Sequence, residues 1–381
     1  MNSANSINDL INALMDMEYQ FPAKLLYQFS DLGSHEQKTL AKVWLDVPLQ
    51  RRRTFLQDLA ALAEIDPILM FENVARVALG DEDAQVQISA IDLLFDAEDC
   101  HLIPTYLRLL GDVDRDEVMR AAVANALGPY IFMGEIDKLP QEVQTKIEES
   151  LLQTYHNDKS DLVRRRSLEA LGYSSREDIA PLLQQAAAMQ DELWVESAMF
   201  AMGRSADDRW ESFVIENLDH ENLAIRIQAV HAAGELLLKK ARRYLLREVD
   251  DAGDDTLRRE MIWALAQIGG EGVERKFENL LALEEDEEEI SFLEEALEIL
   301  NFTEGDKSLD LFSVPWEAEK ISCDLDDLEN DDDEYEVDDD FEDFRETRFD
   351  DEEWQRYVAD DDTDDEDDEY TFGDFDEDRF V

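Results

Sequence analysis

A ten-residue pattern recurring at near-constant spacing restricts the fold of this chain more than any other feature. Six stretches align: 86–95 (VQISAIDLLF), 119–128 (MRAAVANALG), 163–172 (VRRRSLEALG), 194–203 (WVESAMFAMG), 225–234 (IRIQAVHAAG) and 257–266 (LRREMIWALA). A degenerate seventh starts at Ile290 (ISFLEEALEI). Successive starts lie 33, 44, 31, 31, 32 and 33 residues apart. A period of this length holds one pair of helices with their turns. One such pair cannot bury its apolar face alone, so several must stack. The spacing therefore predicts an all-α solenoid. The extra residues of the long second interval, near 134–144, read as a longer loop or a helix extension.

Each frame reads as one helix, with an apolar residue at its start and Ala-Leu-Gly or a close variant at its end. Ala122, Ala126, Ala170, Ala201, Ala229 and Ala264, with Gly128, Gly172, Gly203 and Gly234, let neighbouring helices approach closely. Asp81, Asp83, Asp114, Asp161, Asp191, Asp219 and Asp255 precede or open the frames, where a carboxylate caps exposed amides. Pro104 and Pro181 each lie 18 residues after a frame start and open the partner helix. Proline also places N-terminal helices, one after Val47-Pro48 through Ala63 and one after Asp66-Pro67 through Ala78. Ser34 with Gln37 forms a capping box for a helix to Leu45. Residues 1–80 then cap the array, 81–305 form its repeats and 306–381 form a tail.

VRRRSLEALG and its relatives MRAAVANALG and IRIQAVHAAG, at 31 to 44 residue spacing, resemble the short HEAT repeats of the phycobilisome-lyase type. The resemblance covers residues 72–302 and implies an armadillo-like right-handed superhelix with a concave face, as in bacterial HEAT-repeat proteins with an acidic tail. It implies no activity, because such arrays serve many purposes. Deoxyhypusine hydroxylases share the architecture and hold two irons through His-Glu pairs. This chain has two such dipeptides, His35-Glu36 and His220-Glu221, and both fall in turns rather than at the helical positions of that family. Bilin lyases share the repeat as well, but no chromophore pocket is marked here.

The net charge of −61 and pI near 4.1 argue against general electrostatic binding to nucleic acid or anionic lipid. Two cysteines, Cys100 and Cys323, suggest neither a disulfide framework nor a thiolate metal cluster. The start lacks a basic segment followed by an apolar run, and no stretch is long and apolar enough to span a bilayer. A cytoplasmic protein without cofactor, metal or catalytic site is the expectation. Against this acidic background basic clusters stand out: Arg51, Arg52 and Arg53; Arg164, Arg165 and Arg166; Lys239, Lys240, Arg242 and Arg243; Arg258 and Arg259. Arg120, Arg164, Arg226 and Arg258 share the second frame position, where they pair with acids of the adjacent turn. Alternatively the clusters form a basic stripe along one face that receives an acidic segment.

Residues 306–381 hold 36 acids against 6 bases, half the net charge in a fifth of the chain. Like charge at this density predicts disorder. Aromatics interrupt the acids, and Trp316, Phe341, Phe344, Trp354 and Phe375 are candidate anchors for a partner. The whole reads as a non-catalytic scaffold for a protein partner of basic character, with the tail steering or autoinhibiting binding. The alternatives are an enzyme or enzyme accessory of the hydroxylase or bilin-lyase kind, and a nucleic-acid mimic acting through the tail.

Overall fold

The computed structural model describes residues 6–30, 32–66 and 68–305. The expected tail, with its five anchors, lies outside the described residues. Within them the chain is all-α, with no strand. The helices are α1 (Ile7–Met15), α2 (Ala23–Leu26), α3 (Ser34–Val43), α4 (Leu49–Ile65), α5 (Glu72–Leu79), α6 (Ala84–Leu93), α7 (Ile103–Gly111), α8 (Glu117–Ala126), α9 (Gly128–Glu135), α10 (Gln141–Asn157), α11 (Asp161–Leu171), α12 (Ile179–Ala187), α13 (Glu192–Arg204), α14 (Glu211–Asn217), α15 (Leu223–Glu235), α16 (Arg242–Glu248), α17 (Asp255–Ile268), α18 (Val273–Leu281) and α19 (Glu287–Gly305).

They form a HEAT-like stack of two rows. The recurrent frames become α6, α8, α11, α13, α15, α17 and α19, and each rests on the next. The other row alternates with them as α5, α7, α10, α12, α14, α16 and α18. Each of these packs mainly on the frame helix that follows it. The same two-row order already holds for α3 and α4, which lie against α5 and α6. One apolar cluster runs from Leu10 to Leu300, so every helix pair shares its core with its neighbours.

Small residues set the spacing of the frame row. A Cβ on Gly172 would lie 2.6 Å from the Ala201 carbonyl oxygen, and one on Gly203 would lie 2.9 Å from Ala232 Cα. At Gly234 it would meet Trp263 at 2.5 Å and Ala264 Cα at 3.0 Å. Backbone meets backbone at these points, so no rotamer change could relieve the clash.

Helix starts follow local chemistry. Asp83 accepts from Val86 N, Asp116 from Val118 N and Met119 N, Asp191 from Leu193 N and Asp254 from Leu257 N, while Ser160 and Asn222 cap α11 and α15. Cap chemistry thus sits one to three residues from the position expected in several repeats: Asp116 rather than Asp114, Ser160 rather than Asp161, Asn222 rather than Asp219, Asp254 rather than Asp255. Asp81 has a different task. It is buried and receives the Trp44 indole N–H at 2.7 Å together with the Arg52 guanidinium.

Three N-terminal details differ from the sequence expectation. The helix expected directly after Asp66-Pro67 starts at Glu72, because Asp66 instead closes a turn, accepting Ile68 N on its side chain and Leu69 N on its carbonyl. Ser34 forms no capping box, because Gly33 holds the N-cap position and Ser34 is already helical. The box occurs at Ser6 and Asp9, where α1 begins. The surplus residues of the long interval go into α9 and a short turn before the 17-residue α10.

Gly172→Ala should destabilise the chain by about 1–3 kcal/mol, the usual range for overpacking a tight contact. Gly111→Ala, whose Cβ would meet nothing within 4 Å, should leave stability unchanged or slightly raised. Denaturant unfolding of both variants checks the pair, and equal effects would show that the frame row is not closely packed.

Candidate functional site: an aromatic and cation ladder on the frame row

The basic clusters are placed by what they bond. Arg51 in α4 is buried, and its Nη2 donates to the carbonyls of Asp16 and Tyr19 at 2.5 Å each, closing the end of α1. Arg52 pairs with Asp81, and Arg53 forks onto the Asp83 carboxylate at 2.6 and 2.9 Å. That bond to Arg53 holds the Asp83 carboxyl below its ordinary range. Arg165 donates to Ser197 Oγ at 3.3 Å, and Arg166 pairs with Glu169 at 2.5 Å. Lys240 pairs with Glu211 at 2.7 Å, while Arg242 donates to the Gly269 carbonyl at 3.1 Å. Gly270 there has φ +96°, and a side chain at that position would collide with the Arg242 guanidinium. Arg259 pairs with Glu288 and Glu289. Lys239 and Arg243 are exposed, and of the twelve candidates they alone lack a hydrogen bond or ion pair among the described residues.

The second frame position shows a rule. Arg120 is buried and donates twice to the Leu110 carbonyl, at 2.9 and 3.0 Å, while also pairing with Asp158. Arg164 reaches the Tyr155 carbonyl at 2.8 Å and Asp161 at 2.9 Å, and Arg226 reaches the His220 carbonyl at 3.1 Å. The Arg120 and Arg164 guanidiniums fold back onto the end of the helix before them and satisfy carbonyls left over there, and Arg226 does the same to the turn before α15. Arg258 instead crosses forward to Glu284 and Glu289. The clusters on α4, α11 and α17 lie in the frame row, whereas Lys239, Lys240, Arg242 and Arg243 lie at the start of α16 in the other row. They are not brought to one face.

A different set of residues is brought together. The Phe132 and Tyr173 rings lie 5.7 Å apart, and the Arg204 guanidinium sits 4.8 Å from the Tyr173 ring and 4.0 Å from the Phe200 ring. Phe200 stacks on His231 at 5.8 Å, and His231 stacks on Trp263 at 4.7 Å with the planes only 10° apart. On the last frame helix Arg259 lies 5.5 Å from the Phe292 ring. Rings and cations therefore alternate from Tyr173 to Trp263, with Phe132 beside Tyr173 at one end and the Arg259–Phe292 pair at the other. Phe132 is exposed, and Tyr173, Phe200, Arg204, His231, Trp263 and Phe292 are each partly exposed, so the ladder edges reach solvent.

Carboxylates fix His231 and Arg259 in it. His231 Nδ1 meets Glu260 at 2.7 Å and Nε2 meets Glu235 at 3.5 Å. Burial would depress the imidazolium, but these two acids outweigh it and raise its pKa to about 9. Arg204 Nη1 is buried with no hydrogen-bond partner among the described residues, and burial pulls this guanidinium below its ordinary value. The ring faces of Tyr173 and Phe200 are its main compensation. Between α17 and α19 the surface opens into a cleft of about 560 Å³, lined by Asp255, Thr256, Arg259, Glu260, Trp263, Glu289 and Phe292.

Other chemistry is sparse. Asp99, Cys100 and His101 bring their ligand atoms within 4.8 Å of one another. The Asp99 carboxylate is already engaged by Arg76 and by the His101 ring and backbone, so a closed polar knot results. His35 lies in the first turn of α3, and His220 accepts from Asn222 N at 3.0 Å in the turn before α15. No helix among the described residues is long and apolar enough to cross a membrane.

No family model matches the chain, and no curated protein matches it in sequence. Solved structures do resemble it at low identity. The YibA protein of E. coli is 17% identical with a TM-score of 0.37, over 75% of this chain and 98% of that one. Importin beta is 13% identical with a TM-score of 0.36, over 77% of this chain and 46% of its own. Human deoxyhypusine hydroxylase, in a complex with glycerol, is 15% identical with a TM-score of 0.32, over 78% and 96%. Nothing of their activities passes to this chain at such levels.

The raised pKa of His231 carries a sign. Its stabilising contribution is complete below the unfolded value of 6.5 and is lost as pH rises through about 9. His231→Gln should therefore cost most below pH 6.5. The stability gap to the native chain should narrow by up to about 3 kcal/mol above pH 9. Denaturant titrations across that range check this, and a gap independent of pH would show that His231 is not held charged.

Proposed function

We propose that the chain is a non-catalytic scaffold that grips an extended, basic segment of a protein partner along its frame row. The ladder is the observation that carries this reading. Side chains of Phe132, Tyr173, Phe200, Trp263 and Phe292 that a solitary array would bury or replace reach the surface along consecutive repeats. Close spacing of the frame helices lets an extended segment meet several repeats at once. Rigid aromatics give contact area at small entropic cost. The surplus of acids over bases in the chain favours a cationic partner.

Charge distribution supports a steering role for residues 306–381 over an autoinhibitory one. The cations available to receive that segment are mostly committed to carbonyls and carboxylates of the array itself. The array carries about as much net negative charge as the tail, so the two repel, while a basic partner is attracted by both. By this reading the phycobilisome-lyase-type repeat contributes architecture without chemistry, and the protein works in the cytoplasm.

Affinity capture from the native cell with the full chain should retain basic proteins, and Phe200→Ser should release them. Deleting residues 306–381 should slow association with the captured partner by about tenfold at low salt and leave it nearly unchanged at high salt. Retention that ignores Phe200→Ser removes the ladder from the mechanism. Iron or a bilin carried through purification, read by metal analysis and absorption, would overturn the non-catalytic assignment.

A further inference from the structure

The row has a seventh frame helix, α19, and no eighth among the described residues. The tenth frame position faces the next helix of the row, as Gly172 does with Ala201, Gly203 with Ala232 and Gly234 with Ala264. In α19 that position holds Ile299, a large apolar residue where a following helix at the same spacing would demand a small one. Phe292, Ile299 and Phe302 are seven and three residues apart, so they form one stripe on this side of the helix. Leu293, Ala296 and Leu300 are the buried residues of α19, whereas Phe292 and Ile299 are half-buried and Phe302 is 73% exposed. An apolar face at the end of an array needs cover.

The chain itself continues from the foot of this stripe. α19 ends at Gly305, and three polar residues, Asp306, Lys307 and Ser308, separate it from Leu309. Residues 309–316 (LDLFSVPW) carry five apolar side chains and a single acid, in a region where 36 of 76 residues are acidic. No leucine or isoleucine follows Leu328. The dense acids that repel the array thus begin beyond this segment.

We propose that residues 309–316 fold back along α19 and cover the stripe, closing the apolar core at its C-terminal end. From Phe302 to Phe292 the stripe is about 15 Å long at the helical rise, and eight extended residues span up to about 28 Å. Pro315 keeps Val314 extended, which suits a segment laid along a helix. Phe312, Val314 and Trp316 alternate in sequence, so an extended backbone turns all three to one side. Trp316 then belongs to the array rather than to a partner. The acids from Glu317 onward start beside Phe292, at the end of the ladder, where they add to the attraction for a basic segment. A second copy is a poorer occupant, because it brings one chain of net charge −61 against another.

Disulfide trapping in the full chain, with Cys323→Ser, tests this without any partner present. Glu295→Cys with Val314→Cys should join within one molecule, because position 295 lies on the stripe between Phe292 and Ile299. Glu294→Cys with Val314→Cys is the control at nearly the same sequence separation, about 100° round the helix, and should close about tenfold more slowly. Glu294 and Glu295 are both exposed, so neither change touches the buried face. Phe312→Ser with Trp316→Ser should speed amide exchange in 292–302 about tenfold and leave α11 to α15 unchanged. Equal closure of the two cysteine pairs, or exchange in α19 that ignores both serines, overturns the proposal. A disulfide that joins two molecules instead of one also overturns it and assigns the stripe to a second copy.

Discussion

The contact on which everything else depends is the close approach of one frame helix to the next. Gly172 against Ala201, Gly203 against Ala232 and Gly234 against Trp263 and Ala264 bring backbones together at distances that no larger residue allows. That approach fixes the rise between repeats. A ring on one helix then falls at stacking distance from the residue one repeat later, as Phe200, His231 and Trp263 show with centroid separations of 5.8 and 4.7 Å. Replace the small residues and the helices separate, taking the ladder with them. The core and the candidate surface are in this sense two faces of a single spacing.

Much of this architecture is legible in the amino-acid sequence, and the reason is periodicity. Ala-Leu-Gly endings repeat because each repeat meets the same steric demand, so one rule applied six times is easy to see. What the sequence hides is what side chains do with partners outside their own frame. Arg120, Arg164 and Arg226 look like surface cations answering nearby acids. In the fold they turn back onto carbonyls of the preceding helix or turn, a target carried by every residue and therefore invisible in composition. Asp81 reads as one more cap residue, yet it is buried beneath Trp44 and Arg52 because α4 crosses it from a distant part of the chain.

The ladder itself had a signal. The seventh frame position holds Asp92, Asn125, Glu169, Phe200, His231 and Trp263, polar in the first three repeats and ring-bearing in the next three. The residue just after the frame holds Tyr173, Arg204 and Glu235 in three successive repeats. Alignment by conserved small residues draws attention to the positions that agree, whereas a binding surface is written in the positions that change from one repeat to the next. Only the distances show that two such columns, one turn apart on the helix, interleave into a single stack.

The balance of charge gives the surface its selectivity. A chain at −61 has more acids than it can pair, and the array spends most of its arginines on internal ties. Each tie removes a cation from the surface, so the charge that remains outside is mostly acidic. General attraction for a basic partner then comes without design, and it cannot discriminate between one basic segment and another. Discrimination has to come from shape at short range, where a guanidinium or ammonium must find a ring face and carboxylates at the right separation. The ladder meets that requirement with its own His231, which lies between the rings of Phe200 and Trp263 and is bonded to Glu235 and Glu260, a physical precedent within the same molecule for a cation held between rings of successive helices.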